Sequence, residues 1–322
     1  MTAHGRPKVV VLGGGTGMPI LLRGLKQYPI DLSTIVTVAD DGGSTGRLRQ
    51  DMETPAPGDI RNVIAALANV DEELLKLFQH RFQLPEGMED HSLGNLILVA
   101  LSSLTGDFFS AVQQLSKLLQ VEANIYPIVN ESVVLHAEME DGTIVSGESN
   151  IPLKNKQIKR VFLTPNNLRP MPEVIKCVQE ADLIVISPGS LYTSILPNLI
   201  IAEVEKALSE TKAQKVYVCN IMTQRGETEH YSAADHVNAI FSHVGKQAID
   251  TIIVHDEPIV DESLLAVYEF DHSFPVTYGV DELRALDIHV IEENLIDVSK
   301  GIIRHNTAKL AKLLYDMAQN TR

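Results

Sequence analysis

Cysteine is nearly absent. Cys177 and Cys219 are the only two in 322 residues, too few for a disulfide framework or a cysteine-rich zinc site. A reducing compartment fits that usage. Positive charge is also scarce, with 27 Lys and Arg against 42 Asp and Glu and a formal net charge of −15. Nucleic-acid affinity depends on Lys and Arg neutralising phosphates, so no nucleic-acid partner is expected. A small anionic ligand needs only a local cluster of donors and stays open. Long apolar runs are missing too: the longest, such as residues 93–104, are shorter than a bilayer span or interrupted by polar residues. No membrane insertion is expected. Only residues 1–7 precede the first apolar strand, which ends in glycine instead of extending into a signal-peptide core, so the expected location is cytoplasmic.

What the chain does have is 44% hydrophobic and 21% charged residues without a low-complexity segment, enough to bury a core along most of its length. Residues 8–12 (KVVVL) form a β-branched run that ends in glycines, and residues 18–25 have helix-compatible composition; together they read as strand, turn and helix. Residues 33–39 are the next strand. Buried parallel strands look like continuous apolar runs, and four more such runs occur at 183–186, 216–219, 251–254 and 288–291. Segments with helical spacing lie between them. This alternation predicts an α/β chain: a Rossmann-like, doubly wound, mainly parallel sheet with helices on both faces.

The middle of the chain breaks the rhythm. VVLHAEME, Asp141-Gly142 and TIVSGE alternate around a turn dipeptide, which predicts an antiparallel hairpin inside a small β-rich insertion at about residues 130–165. Residues 59–80 and 93–119 read as helical, the second broken near Gly106. A last helix is predicted from about Thr307, with Leu310, Leu313 and Leu314 on one face packing back on the sheet. No internal repeat or Pro/Gly/Ser linker divides the chain, so residues 1–322 are read as one domain carrying the insertion.

Polar and glycine-rich segments recur where the apolar strands end. Gly13, Gly14, Gly15, Thr16 and Gly17 follow the first strand and precede a helix, where small residues let backbone N–H groups approach a phosphate. The dinucleotide fingerprint is incomplete because Met18 stands at its third glycine position, and no Walker-type lysine follows. A ligand-free tight turn is the alternative. Asp40, Asp41, Gly42, Gly43, Ser44 and Thr45 follow the second strand, with Arg47 and Arg49 adding positive charge. Carboxylates in this place accept hydrogen bonds from ribose or hold a divalent cation, and the small residues form a second donor-rich loop. Asp59 in PGDIRN is either a helix N-cap or a ligand contact, and Arg61 and Asn62 sit in the same first turn.

Farther along, His91 and Asn95 lie in HSLGN, where Ser92 can cap a helix and His91 is the best general base if there is chemistry. Ser187, Gly189 and Ser190 follow the strand at 183–186 as another phosphate or sugar loop, without the G-x-S-x-G spacing of a nucleophile turn. Asn220, Thr223, Gln224 and Arg225 follow the next strand. Tyr268, placed after a short helix, and Arg304, just before the last one, offer a stacking face and an anion fork; packing and surface ion pairs are the alternatives. The histidines show no metal-ligand spacing, and no metal residue is assigned. Cys219 reads as a small core residue.

Read together, GGGTG, ADDGGSTGRLR, PGDIRN, HSLGN, SPGSLYTSI and CNIMTQRGETEHYSAADH resemble the YvcK gluconeogenesis factors, relatives of the phospholactate transferase CofD. The likeness runs over nearly the whole chain. It implies a Rossmann-like cytoplasmic factor for growth and normal cell shape on gluconeogenic carbon sources. It also implies a nucleotide-sugar ligand, UDP-N-acetylglucosamine, and a link to an enzyme of amino-sugar or cell-envelope precursor synthesis; a homo-oligomer is expected. No cofactor is assigned, and NAD or another nucleotide could occupy the same crevice. The transferase branch implies the alternative, 2-phospholactate transfer from a guanylylated donor to a deazaflavin with a divalent metal.

Overall fold

A computed structural model of the protein describes residues 5–52, 54–82, 91–298 and 301–321. The first four residues of the segment before the opening strand lie outside these. Seven parallel strands form the central sheet: β1 (Lys8–Gly13), β2 (Asp31–Val36), β3 (Asn124–Pro127) and, after a separate three-stranded unit, β7 (Leu183–Ile186), β8 (Gln214–Val218), β9 (Thr251–His255) and β10 (His289–Glu293). Their order is β10-β9-β8-β7-β1-β2-β3. The intervening unit comprises β4 (Val134–Met139), β5 (Ile144–Ser146) and β6 (Ile158–Thr164), an antiparallel sheet in the order β5-β4-β6 within the predicted insertion.

The apolar runs become strands because both faces of the sheet are covered. Val9, Val10, Val11 and Leu12 are essentially inaccessible, as are Leu183, Ile184, Val185 and Ile186, and the two strands pair in register from Val9↔Leu183 to Leu12↔Ile186. Helix α1 (Gly17–Leu25) joins β1 to β2, with Met18, Leu21, Leu22 and Leu25 buried. The polar segment α2 (Gly43–Met52) and the apolar α3 (Pro57–Leu67) follow, then α4 (Glu72–Gln79), α5 (Leu93–Thr105) and α6 (Phe108–Leu118) lead to β3. Ser92 caps α5 by accepting the Asn95 N–H at 3.2 Å, and left-handed Gly106 ends it.

In the second half, α7 (Pro172–Glu180) precedes β7. The short α8 (Leu196–Leu199) and α9 (Ala202–Glu210) link β7 to β8, α10 (Ala233–Val244) links β8 to β9, and α11 (Glu262–Phe270) and α12 (Val280–Ala285) precede β10. The chain closes with α13 (Thr307–Asn320). Helices α1, α3 and α13 pack together, while α7 and α9 form a second group. Right-handed crossovers running in opposite directions from β1 and β7 place the two groups on opposite faces.

Four differences from the sequence reading have physical causes. The edge strand β3 (NIYP) is too short and too polar to stand out as an apolar run. The glycine-rich loop after β2 is shorter than expected, because Gly43, Ser44 and Thr45 already belong to α2, which lacks an apolar periodicity. The helical stretch at 59–80 is two helices, interrupted where Ala68 and Asp71 adopt extended ψ angles of 142° and 146°. Helix α13 covers α1 more than the sheet: Leu310, Ala311 and Leu314 are buried there, and Tyr28 stacks on Tyr315 with ring centroids 4.8 Å apart.

Candidate functional site: a crevice at the switch point of the sheet

Strand order reverses between β1 and β7, and the loops leaving their carboxyl ends touch. An open α/β sheet forms its ligand crevice at such a point. Contact between the loops demands glycine at Gly17, where a Cβ would fall 2.3 Å from the Pro188 carbonyl oxygen. A Cβ at Gly14 would lie 2.6 Å from both Asp59 Oδ2 and Thr37 Cγ2. The first loop is also tied from behind. Gly15 N–H donates to Asp59 Oδ2 at 2.8 Å, and Asn198 Nδ2 donates to the Gly13 carbonyl at 3.0 Å. Ser187 is fully buried with its Oγ against Gly13, so it shapes the loop from beneath.

The start of α1 is uncapped. Thr16 makes no side-chain cap bond and the first turn holds no acidic residue. N–H groups at such an end carry the positive pole of the helix and favour an anion. In front of them a cavity of about 380 Å³ is lined by Thr16, Gly17, Gly189, Asn220, Tyr268 and Arg304, among others. Asn220 braces the β7 loop in both directions: Gly189 N–H donates to its Oδ1 at 3.0 Å, and its Nδ2 donates to Gly189 O at 2.8 Å. Ser190 Oγ accepts from Gln224 Nε2 at 2.8 Å. Tyr268 lies within α11 rather than after it, and its hydroxyl accepts the Ile303 N–H at 2.8 Å beside the exposed Arg304. Behind Arg304, burial pulls the His305 pKa down to about 4, and the neutral ring donates from Nε2 to Cys219 O at 3.0 Å.

The remaining predicted residues do not line this cavity, and several of them tie neighbouring loops together. Asp59 is neither cap nor exposed ligand group: Ala56 holds the N-cap position of α3, and Asp59 is buried against Gly15 with its pKa pushed up to about 6, chiefly by burial. Asp40 accepts from Gly42 N–H at 2.9 Å and from the Thr45 hydroxyl, with its pKa raised by burial. Asp41 Oδ1 accepts the Ser149 N–H at 2.8 Å, which pins the insertion to the β2 loop. Ser44 Oγ and His91 Nδ1 are 2.8 Å apart and both buried, joining α2 to the start of α5; burial lowers the His91 pKa. Asn62 Oδ1 accepts from Arg61 at 2.6 Å, and Asn95 is buried. Gly43, Arg47 and Arg225 are exposed.

Two acidic residues escaped the sequence reading. Glu227 is buried and accepts from Tyr192 N–H at 3.2 Å and Thr193 Oγ1 at 3.0 Å, with burial raising its pKa to about 7. Glu148, on the turn after β5, is pushed up to about 8 by burial and then by Asp40, Glu227, Asp41 and Asp59. Its raised folded-state pKa means that its contribution to stability is complete below the unfolded value near 4.5 and is lost as pH rises through about 8. Glu148→Gln mimics the protonated form. In urea unfolding it is expected to match wild type at pH 4 and to exceed it by on the order of 2 kcal/mol at pH 9. Equal stabilities at pH 9 would contradict the placement of Glu148 among these carboxylates.

A larger groove, about 640 Å³, lies at the opposite, amino end of the strands, lined by Lys8, Lys26, Asp31, Asn124, Lys176 and Glu180 among others. Its acids and bases balance, and Lys8 is paired with Glu180 at 2.8 Å. It has neither the glycine loops nor the helix start that suit a phosphate.

A model of the family described as 2-phospho-L-lactate transferase CofD matches residues 9–296. The gluconeogenesis factor of Bacillus subtilis (strain 168) is 53% identical over 97% of this chain and 98% of that protein. The chain belongs to the CofD-like family, in its gluconeogenesis-factor group. Another member of that group, from Halalkalibacterium halodurans, is 48% identical over 97% of this chain and 96% of its own. The crystal structure of a Bacillus halodurans protein matches the fold with a TM-score of 0.94 at 48% identity, covering 96% of this chain and 99% of that one.

The transferase side of the CofD-like family implies a divalent metal. In this chain Asp40, Asp41, Asp59 and Glu227 are engaged by the N–H and hydroxyl donors described above. Among the described residues no group of three His, Cys, Asp or Glu side chains is arranged to hold a metal ion. The side-chain arrangement of the described residues does not fit a resident cation.

Proposed function

We propose that the crevice binds a nucleotide sugar, UDP-N-acetylglucosamine, and that its occupancy regulates a partner enzyme during cytoplasmic growth and cell shaping on gluconeogenic carbon, without turnover. The observation that carries this reading is the uncapped start of α1, wedged between two glycine loops at the switch point and facing a cavity that also contains Arg304. The diphosphate sits at Gly14–Gly17, with Arg304 as its charged fork and Tyr268 as a flat partner for base or sugar. The gluconeogenic part is supported by the names of the relatives. Regulation rather than catalysis is favoured because Ser44 and His91, a hydroxyl–imidazole pair, are buried outside the cavity lining.

Separate calorimetric titrations of UDP-N-acetylglucosamine, NAD and GDP, with and without magnesium, test the reading. Saturable binding of the UDP-sugar, recovered intact, is expected. Protein-dependent release of uridine nucleotide, or phospholactate transfer to a deazaflavin, would replace it with the transferase reading. Arg304→Ala should keep the fold, because the side chain is exposed, and weaken binding about tenfold or more by removing a charge-assisted contact of roughly 1.5–3 kcal/mol. Wild-type affinity in that variant would remove Arg304 from the site.

A further inference from the structure

Helix α11 is unusual in this molecule. Its sequence, ESLLAVYEF, is largely apolar, yet it contains no buried residue. Most helical stability comes from a packed apolar face, so an apolar helix with no buried residue has a face left to cover. Leu264, Leu265 and Tyr268 are half-buried toward the body of the protein, where Tyr268 is held by Ile303. On its outer side Val267 is 61% exposed, Phe270 88% and the preceding Val260 85%.

The surroundings of this stripe have one sign. From Gln247 to Leu283 the sequence carries nine Asp or Glu and no Lys or Arg. Asp256, Glu257, Asp261, Glu262, Glu269 and Asp271 are all exposed around the stripe. Exposed aromatic and aliphatic anchors inside a charged rim are the anatomy of a protein interface. A second copy would bring six carboxylates against six in a chain of net charge −15, and an anionic lipid surface would meet the same repulsion.

We propose that the outer face of α11 is a docking surface for a partner protein that presents a basic amphipathic helix, its apolar side on Val260, Val267 and Phe270 and its Lys or Arg on the flanking carboxylates. Complementary charge steers the encounter, and the desolvated apolar contact supplies the affinity. The surface is distinct from the ligand cavity and does not depend on which nucleotide binds there.

A fluorescein-labelled synthetic helix with leucine on one side and lysine on the other, titrated with the full chain by fluorescence anisotropy, tests this. The wild type is expected to bind it at one site. Val267→Ser/Phe270→Ser and, separately, Glu262→Lys/Glu269→Lys are each expected to weaken binding at least about tenfold with unchanged thermal melting. No saturable binding by wild type would overturn the proposal. So would equal affinity in the Val267→Ser/Phe270→Ser variant, which would mean attraction by charge alone. Self-association in sedimentation, or binding to phosphatidylcholine vesicles, that is lost with Phe270→Ser would assign the face to a second copy or to a membrane and would equally overturn it.

Discussion

Gly17→Ala is expected to abolish measurable nucleotide-sugar binding and to destabilise the protein. Helix propensity alone points the other way, since alanine gains up to about 1 kcal/mol over glycine inside a helix. The added methyl, however, would stand 2.3 Å from the Pro188 oxygen and 3.0 Å from its carbonyl carbon. Both are backbone atoms of the facing loop, which cannot swing aside as a side-chain end can. The β1 and β7 loops must therefore separate, at an overpacking cost of about 1–3 kcal/mol that outweighs the propensity gain. The same displacement re-aims the N–H groups at the start of α1, on which the proposed diphosphate depends. Thermal melting and calorimetry on one preparation check both effects. A variant that melts like wild type and binds like wild type would show that the loop contact has no bearing on the site.

Arg49→Leu should cost about 3 kcal/mol or more in urea unfolding, among the largest effects of any single polar substitution near the site. The guanidinium is buried, and it donates from Nη1 to the Ala39 and Asp40 carbonyls at 3.2 and 2.9 Å, and from Nη2 to Ser132 Oγ at 3.3 Å and to the Val133 carbonyl. It thus fastens the end of β2 to the entry of the β4–β6 unit. Leucine fills much of the space but leaves those buried acceptors unmatched. Arg49→Lys should recover less than half of the loss, because one ammonium cannot reproduce a fork that reaches both nitrogens' partners. A loss below about 1 kcal/mol for Arg49→Leu would contradict this bridging role.

Arg49 also illustrates which parts of the site could be read from the sequence. In ADDGGSTGRLR it looks equivalent to Arg47 as phosphate-seeking charge, yet the helical turn of α2 leaves Arg47 exposed and directs Arg49 inward to backbone oxygens. The strands of the sheet core were readable because burial on both faces demands uninterrupted β-branched and aliphatic runs, and the run at 183–186 matches β7 residue for residue. The β4–β5 hairpin was marked by Asp141-Gly142, with Gly142 at φ 82°. The edge strand β3 carries no such mark. Glycine loops announce a phosphate-sized approach of backbone, but their supports are tertiary. Asp59 under Gly15, Asn220 around Gly189, Glu148 near the Asp40 loop and Glu227 against Tyr192 and Thr193 come from distant segments, and no local spacing links them.

The most direct test of the central claim is a crystal structure of the full chain with UDP-N-acetylglucosamine. The diphosphate is expected over Gly14–Gly17, opposite Gly189, with Arg304 within hydrogen-bonding distance. Nucleotide density in the groove at the amino ends of the strands, beside Lys26 and Lys176, would contradict it.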